Sequence, residues 1–107
     1  MFYKKDSSEY RKAFDGVTYK TLTYGDKTSL GEFRLEKGCI IPNHSHPHEQ
    51  TGYVISGRMT FIIDGVRHSA EPGNSWCILG GVEHGVEVHE DSVVIEVFSP
   101  AREDYLP

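Results

Sequence analysis

Between its glycines and prolines the chain alternates apolar and polar residues or runs through short β-branched stretches. No segment sustains the 3.6-residue apolar period of an amphipathic helix. The pattern predicts strands over 17–24, 30–36, 39–41, 51–56, 58–64, 66–70, 75–79, 84–89 and 92–98. In "FIIDGVRH" an Asp-Gly pair lies between apolar flanks, which predicts a two-residue hairpin with Asp64 and Gly65 at its tip and positive φ at both. Short strands with frequent turn signals, and no helices alternating with them, imply an all-β sandwich or barrel. One exception is expected near the start, where "SSEYRKAF" is compatible with a helical turn capped by Ser7 or Ser8. The stretch Ser92 to Phe98 is apolar on both faces, with Val94, Glu96 and Phe98 on one side and Val93, Ile95 and Val97 on the other. Such a strand is expected to be covered twice, once by the barrel interior and once by a second subunit or the N-terminal segment, of which a homodimer is the favoured cover.

Composition narrows the function classes. An apolar fraction of 37% over 107 residues is ordinary for one folded domain, and no stretch reads as a linker between two. The charged start "MFYKKDSSEYRK" lacks the apolar core of a secretory signal, and no run approaches a membrane span, so a cytoplasmic location is expected. In a reducing compartment Cys39 and Cys77, each among apolar neighbours, read as buried small hydrophobes rather than a disulfide. A net charge of −5 with scattered basic residues argues against nucleic acid and anionic membranes as partners. An anionic substrate therefore needs a local cation.

The densest chemistry lies in "PNHSHPHEQ", Pro42 to Gln50. In an extended chain residues i and i+2 point the same way about 6.6 Å apart, so His44 and His46 can aim into one space. Once Pro47 has bent the chain, Gln50 can return to the same spot with its carbonyl oxygen. His84, after the glycine turn in "LGGVE", can add an imidazole from a neighbouring strand. Three histidines and one oxygen suit a single divalent transition metal ion (zinc, iron, nickel, copper or manganese) with positions left open for water or substrate. Taken alone, the His-x-His pair is equally compatible with a surface accident.

The wider spacing resembles the two motifs of the cupin superfamily. In the first, G-x5-H-x-H-x3,4-E-x6-G, Gly38, His44, His46, Gln50 and Gly57 fall in register, with Gln where Glu is usual. The second, G-x5-P-x-G-x2-H-x3-N, aligns with Gly73, Gly81 and His84, with Leu79 in place of the proline and Val88 in place of the asparagine. The resemblance spans Gly38 to Val88 and implies a single-domain double-stranded β-helix, or jelly-roll barrel, with His44, His46, Gln50 and His84 as metal ligands. His48 is not a motif position and reads as an outer neighbour of the site or as exposed. His68 and His89 read as ordinary strand and turn residues, and Glu49 as solvent-facing in preference to a spare ligand.

Cupins include isomerases, dioxygenases, storage proteins and sugar sensors, so the fold does not choose a reaction. The H-x-H-P-H-E-Q form of the first motif and the tail "EVFSPAREDYL" resemble the pectin-degradation cupins of the KdgF family, which linearise 4,5-unsaturated uronates released by polysaccharide lyases. In that family an acidic residue, a phenylalanine two positions on and an arginine four beyond serve the active site. The matching positions are Glu96, Phe98 and Arg102, with Glu where Asp is expected. From the residues alone these three read as an edge glutamate, core filler and a solvated tail charge. The resemblance implies a metal-dependent isomerase acting on a small anionic sugar. Other readings keep the barrel: a metal-dependent dioxygenase or other small-molecule metalloenzyme, and a sugar-acid-binding cupin without catalysis.

Overall fold

The computed structural model describes residues 1–107, and its regular structure is ten strands and one short 3-10 turn, with no α-helix. The strands are β1 (Arg11–Phe14), β2 (Val17–Tyr24), β3 (Ser29–Leu35), β4 (Ile40–His44), β5 (Glu49–Ser56), β6 (Met59–Ile63), β7 (Val66–Ala70), β8 (Ser75–Ile78), β9 (His84–Val88) and β10 (Ser92–Ser99). They form two antiparallel sheets, one of six strands in the order β1-β2-β3-β10-β5-β8 and one of four in the order β4-β9-β6-β7. All nine strands read from the alternation are present, with ends shifted by a few residues. The Asp64-Gly65 tip has φ of 50° and 78°, the conformation that lets a two-residue turn match the twist of β6 and β7.

The tenth strand corrects the expectation of a helical turn at "SSEYRKAF". Arg11 to Phe14 pairs with β2 across a tight turn, Ala13 and Phe14 pack on the core cluster, and Ser8 bonds to the Asp6 carboxylate instead of capping a helix. A sheet edge with an apolar face to cover outweighs the weak helical propensity of a few residues.

The sheets face each other across one apolar core. Val17, Val54, Met59 and Ile78 are fully buried, and each such side chain is worth about 1.5–3 kcal/mol relative to exposure. Alternation along β10 puts Val94, Glu96 and Phe98 inside, leaving Val93 and Ile95 partly covered and Val97 exposed. The same alternation corrects the reading of Cys77: Trp76 and Ile78 point inward on β8, so Cys77 between them is exposed. Cys39 is half-buried, and both thiols are free.

Three pairings position the site. Antiparallel β4 and β9 set His44 opposite His84. The pairing of β10 with β5 sets Phe98 opposite Gln50 and Glu96 opposite Gly52, and β5 with β8 sets Gly52 opposite Trp76. One cross-strand row therefore reads Trp76, Gly52, Glu96 and, on β3, Gly31. The C-terminal segment folds back over the open end of the barrel, tied by the Arg102 amide donating to Ser29 Oγ and Thr21 Oγ1 donating to the Tyr105 carbonyl.

Candidate metal centre and acid pocket

His44 ends β4, His46 stands in the loop after it, and His84 opens β9. The loops carrying them are fastened together: the Gly81 amide donates to the His46 carbonyl, and a Cβ at residue 80 would lie 2.3 Å from the Pro47 oxygen. Only glycine allows that approach, which explains the pair in "LGGVE".

Each of the three imidazoles has its Nδ1 on a backbone carbonyl two residues away. His44 bonds to Pro42 at 3.0 Å, His46 to His48 at 3.0 Å and His84 to Val82 at 2.9 Å. A carbonyl only accepts, so Nδ1 carries a proton in all three rings, and the lone pair of each neutral ring is the one on Nε2. One ligand atom from each ring lies within 4.8 Å of the other two. Burial is the main cause holding His46 and His84 below the ordinary imidazole pKa, with the Arg102 charge acting the same way on both. Imidazoles with Nδ1 tied to the backbone and Nε2 facing one point are the arrangement a transition metal needs.

Two buried polar atoms point to the same place. His46 Nε2 and Gln50 Oε1 are both buried without a protein hydrogen-bond partner, and such orphans are rare in a folded interior. Gln50 is buried on β5 and its amide Nε2 donates to Glu96 Oε2, which leaves the carbonyl oxygen as the free end. The four side chains proposed from spacing are thus brought together, and the donor set of three nitrogens and one oxygen fits a divalent transition metal.

Beside the histidines lies an acid in an apolar setting. Glu96 is buried, and desolvation pushes its carboxyl up to about 7 against the opposing hydrogen bonds from Trp76 and Gln50 and the Arg102 charge. It lines the same cavity as His44, His46, His84, Phe98 and Arg102. Arg102 is no solvated tail charge: its side chain is 11% exposed, and its guanidinium stacks 5.0 Å from the Phe98 ring and 4.1 Å from the Tyr105 ring. Asp104 grips it through Nε at 2.9 Å and one Nη at 2.7 Å. Burial opposes the Arg102 charge, but Asp104 and Tyr105 outweigh it.

His48 stands behind His46, half-buried, giving its carbonyl to that ring, and Glu49 is exposed. His68 is exposed on β7, and His89 bonds to Thr60 Oγ1 away from the cavity. Sequence reasoning missed Trp76, whose indole Nε1 donates to Glu96 at 3.1 Å, and Tyr105, which lines the cavity. A signal for Trp76 existed in Gly52: a glycine inside a strand marks a close approach.

Comparison with known proteins agrees with this architecture. The cupin domain family matches residues 31–99. The chain belongs to the cupin family. A curated relative is the pectin degradation protein KdgF of Dickeya dadantii, 30% identical over 98% of this cupin and 97% of the relative. The solved structure of KdgF from a Halomonas species superposes with a TM-score of 0.92 at 26% identity, covering 99% of this cupin and 98% of that chain. An RmlC-like cupin from Shewanella frigidimarina gives the same TM-score and identity over 99% and 96% of the two chains. Salicylate 1,2-dioxygenase of Pseudoaminobacter salicylatoxidans, at 13% identity and a TM-score of 0.76 over 27% of its length, shares the fold alone.

Proposed function

We propose that this cupin is a metal-dependent enzyme that linearises 4,5-unsaturated uronates, the sugar acids left by lyases acting on pectin or alginate. The observation that carries the reading is one cavity lined by three tautomer-fixed imidazoles, a buried carboxyl poised near neutrality and a guanidinium held in place. Its relation to a pectin degradation protein over nearly the full chain supports the substrate class.

In such a uronate the ring oxygen is both hemiacetal and enol-ether oxygen. Breaking its bond to C1, with loss of the C1 hydroxyl proton, gives an aldehyde; the oxygen takes a proton to become an enol. Tautomerisation then puts a proton on C4 and yields the 5-keto acid. One proton travels from O1 to C4, and no oxidant is consumed.

Glu96 is the group that takes and returns this proton, because a carboxyl with a pKa of about 7 is an effective base and acid at neutral pH. Arg102 binds the substrate carboxylate through the Nη1 end of its guanidinium, the Nε side being taken by Asp104. Phe98 walls the cavity beside it and limits water. His44, His46, His84 and Gln50 would hold the metal, which supplies Lewis-acid polarisation and orientation of sugar oxygens when bound. The outer face of β10 and β5, with Val97, Tyr53 and Ile55 exposed, is assigned to a homodimer contact; light scattering coupled to size exclusion should give twice 12.1 kDa.

The test is incubation of metal-loaded protein with unsaturated galacturonate under argon, with NMR detection of the C4=C5 bond and the product. Conversion well above the spontaneous rate is expected without oxygen. Binding without conversion would leave a sugar-acid-binding protein, and conversion only in air would indicate a dioxygenase.

A further inference from the structure

We infer that Trp76 is a positioning residue for Glu96: its indole N–H, together with the Gln50 amide, commits Oε2 as an acceptor and leaves Oε1 as the oxygen that exchanges a proton with the bound sugar acid. This rests on the reading of Glu96 given above, and deepens it.

Trp76 and Glu96 belong to one cross-strand row. Trp76 on β8 and Glu96 on β10 are not neighbours; β5 runs between them, so they stand two strand spacings apart, about 9.6 Å. The residue between them in register is Gly52. A Cβ there would lie 2.3, 2.4 and 2.6 Å from Cζ2, Cε2 and Nε1 of the indole, so the ring lies over the place where a side chain would be. The absent side chain is what lets the indole cross β5 and reach the acid. On its other side the ring packs against Phe61, centroids 4.3 Å apart, which fixes the approach.

The consequence is chemical. Trp76 Nε1 and Gln50 Nε2 both donate to the same oxygen, Oε2, and no protein group donates to Oε1. An indole N–H and an amide NH2 cannot accept a carboxyl hydrogen, so when Glu96 is protonated the proton resides on Oε1. The two donors therefore both orient the carboxyl and choose the atom through which it works. An acid free to rotate would divide its proton between two oxygens, only one of which faces a given substrate.

The sequence holds a single tryptophan, so its indole N–H is the only one in the protein. Trp76→Phe keeps an aromatic ring on Phe61 and removes only the donor. It should lower kcat by about 10- to 100-fold, the worth of one hydrogen bond to a charged group, with KM within about twofold and metal content unchanged. Gly52→Ala, which pushes the ring off the acid, should reproduce the loss of kcat. The indole ¹H–¹⁵N resonance of the metal-loaded protein should move in Glu96→Gln, a measurement that needs no change at Trp76. Wild-type kcat in Trp76→Phe, or an indole resonance indifferent to Glu96→Gln, would overturn the inference while a dead Glu96→Gln leaves the proposed reaction standing. A fully active Glu96→Gln would remove both.

Discussion

Replacing Glu96 by Gln should move activity and stability in opposite directions. The amide keeps an oxygen to accept from Trp76 and Gln50 but has no proton to exchange, so turnover should fall by about 10² to 10⁴-fold with metal still bound. Stability follows from linkage. In the metal-free protein the Glu96 carboxyl is raised from 4.5 to about 7, so the folded state binds its proton more tightly than the unfolded chain does. The folded state is thus favoured at low pH, and that advantage is lost as pH rises from about 4.5 through about 7. A rise of that size is worth about 3 kcal/mol, and a ΔΔG of that order is large beside the total stability of a small domain. Urea denaturation of metal-free protein at pH 5 and pH 8 tests this. The wild type should lose about 2–3 kcal/mol over that range relative to Glu96→Gln, since the histidines titrate in both proteins and cancel in the difference. Parallel stability profiles would refute the burial of an ionisable acid at this position, and undiminished turnover would refute its role in proton transfer.

Two further outcomes follow from the same geometry. Single replacements His44→Ala, His46→Ala and His84→Ala should each strip the bound metal, measured by elemental analysis after dialysis, and abolish the rise in melting temperature that added Zn²⁺ gives the wild type. Arg102→Lys exchanges a planar fork for a point charge and gives up the two-point grip of Asp104, so KM for the uronate should rise by about 10- to 100-fold with a smaller effect on kcat, read from initial rates.

Much of this architecture is visible in the residue order because alternation is a local property. Strand β2 is bounded as read, since Val17 and Tyr19 and, after an irregularity at Thr21–Thr23, Leu22 and Tyr24 alternate with polar residues, and turn residues stop it at both ends. The hairpin at Asp64-Gly65 is equally local. The histidine site is legible because a motif fixes four residues at set spacings. What the sequence hides depends on register between distant strands. Trp76 meets Glu96 only because β8, β5 and β10 align with a glycine between them, and no pattern within any one strand reveals that alignment. Tyr105 reaches the cavity because the C-terminal segment doubles back over the barrel mouth, an irregular path without periodicity. β1 was illegible for a different reason: four residues at a sheet edge take their conformation from the strand they pair with.

Gln50, where the general cupin motif has Glu, and Glu96, where the pectin-degradation cupins are expected to have Asp, act on each other. The side chains touch, and the longer acid at 96 reaches the amide at 50. A carboxylate at both positions would bury two like charges in contact, which cannot both ionise; one would hold a proton shared with the other. With Gln at 50, the amide hydrogen goes to Glu96 and the carbonyl oxygen stays free toward the histidines. The acid can then cycle its own proton without competing for that of its neighbour. Gln50→Glu should therefore retain metal, since a carboxylate is a competent oxygen ligand, yet lose turnover by about 10² or more because the proton becomes trapped between residues 50 and 96. Metal content and anaerobic rate measured on one preparation decide it: a variant as fast as the wild type would mean that the amide at residue 50 has no part in keeping Glu96 free to exchange its proton.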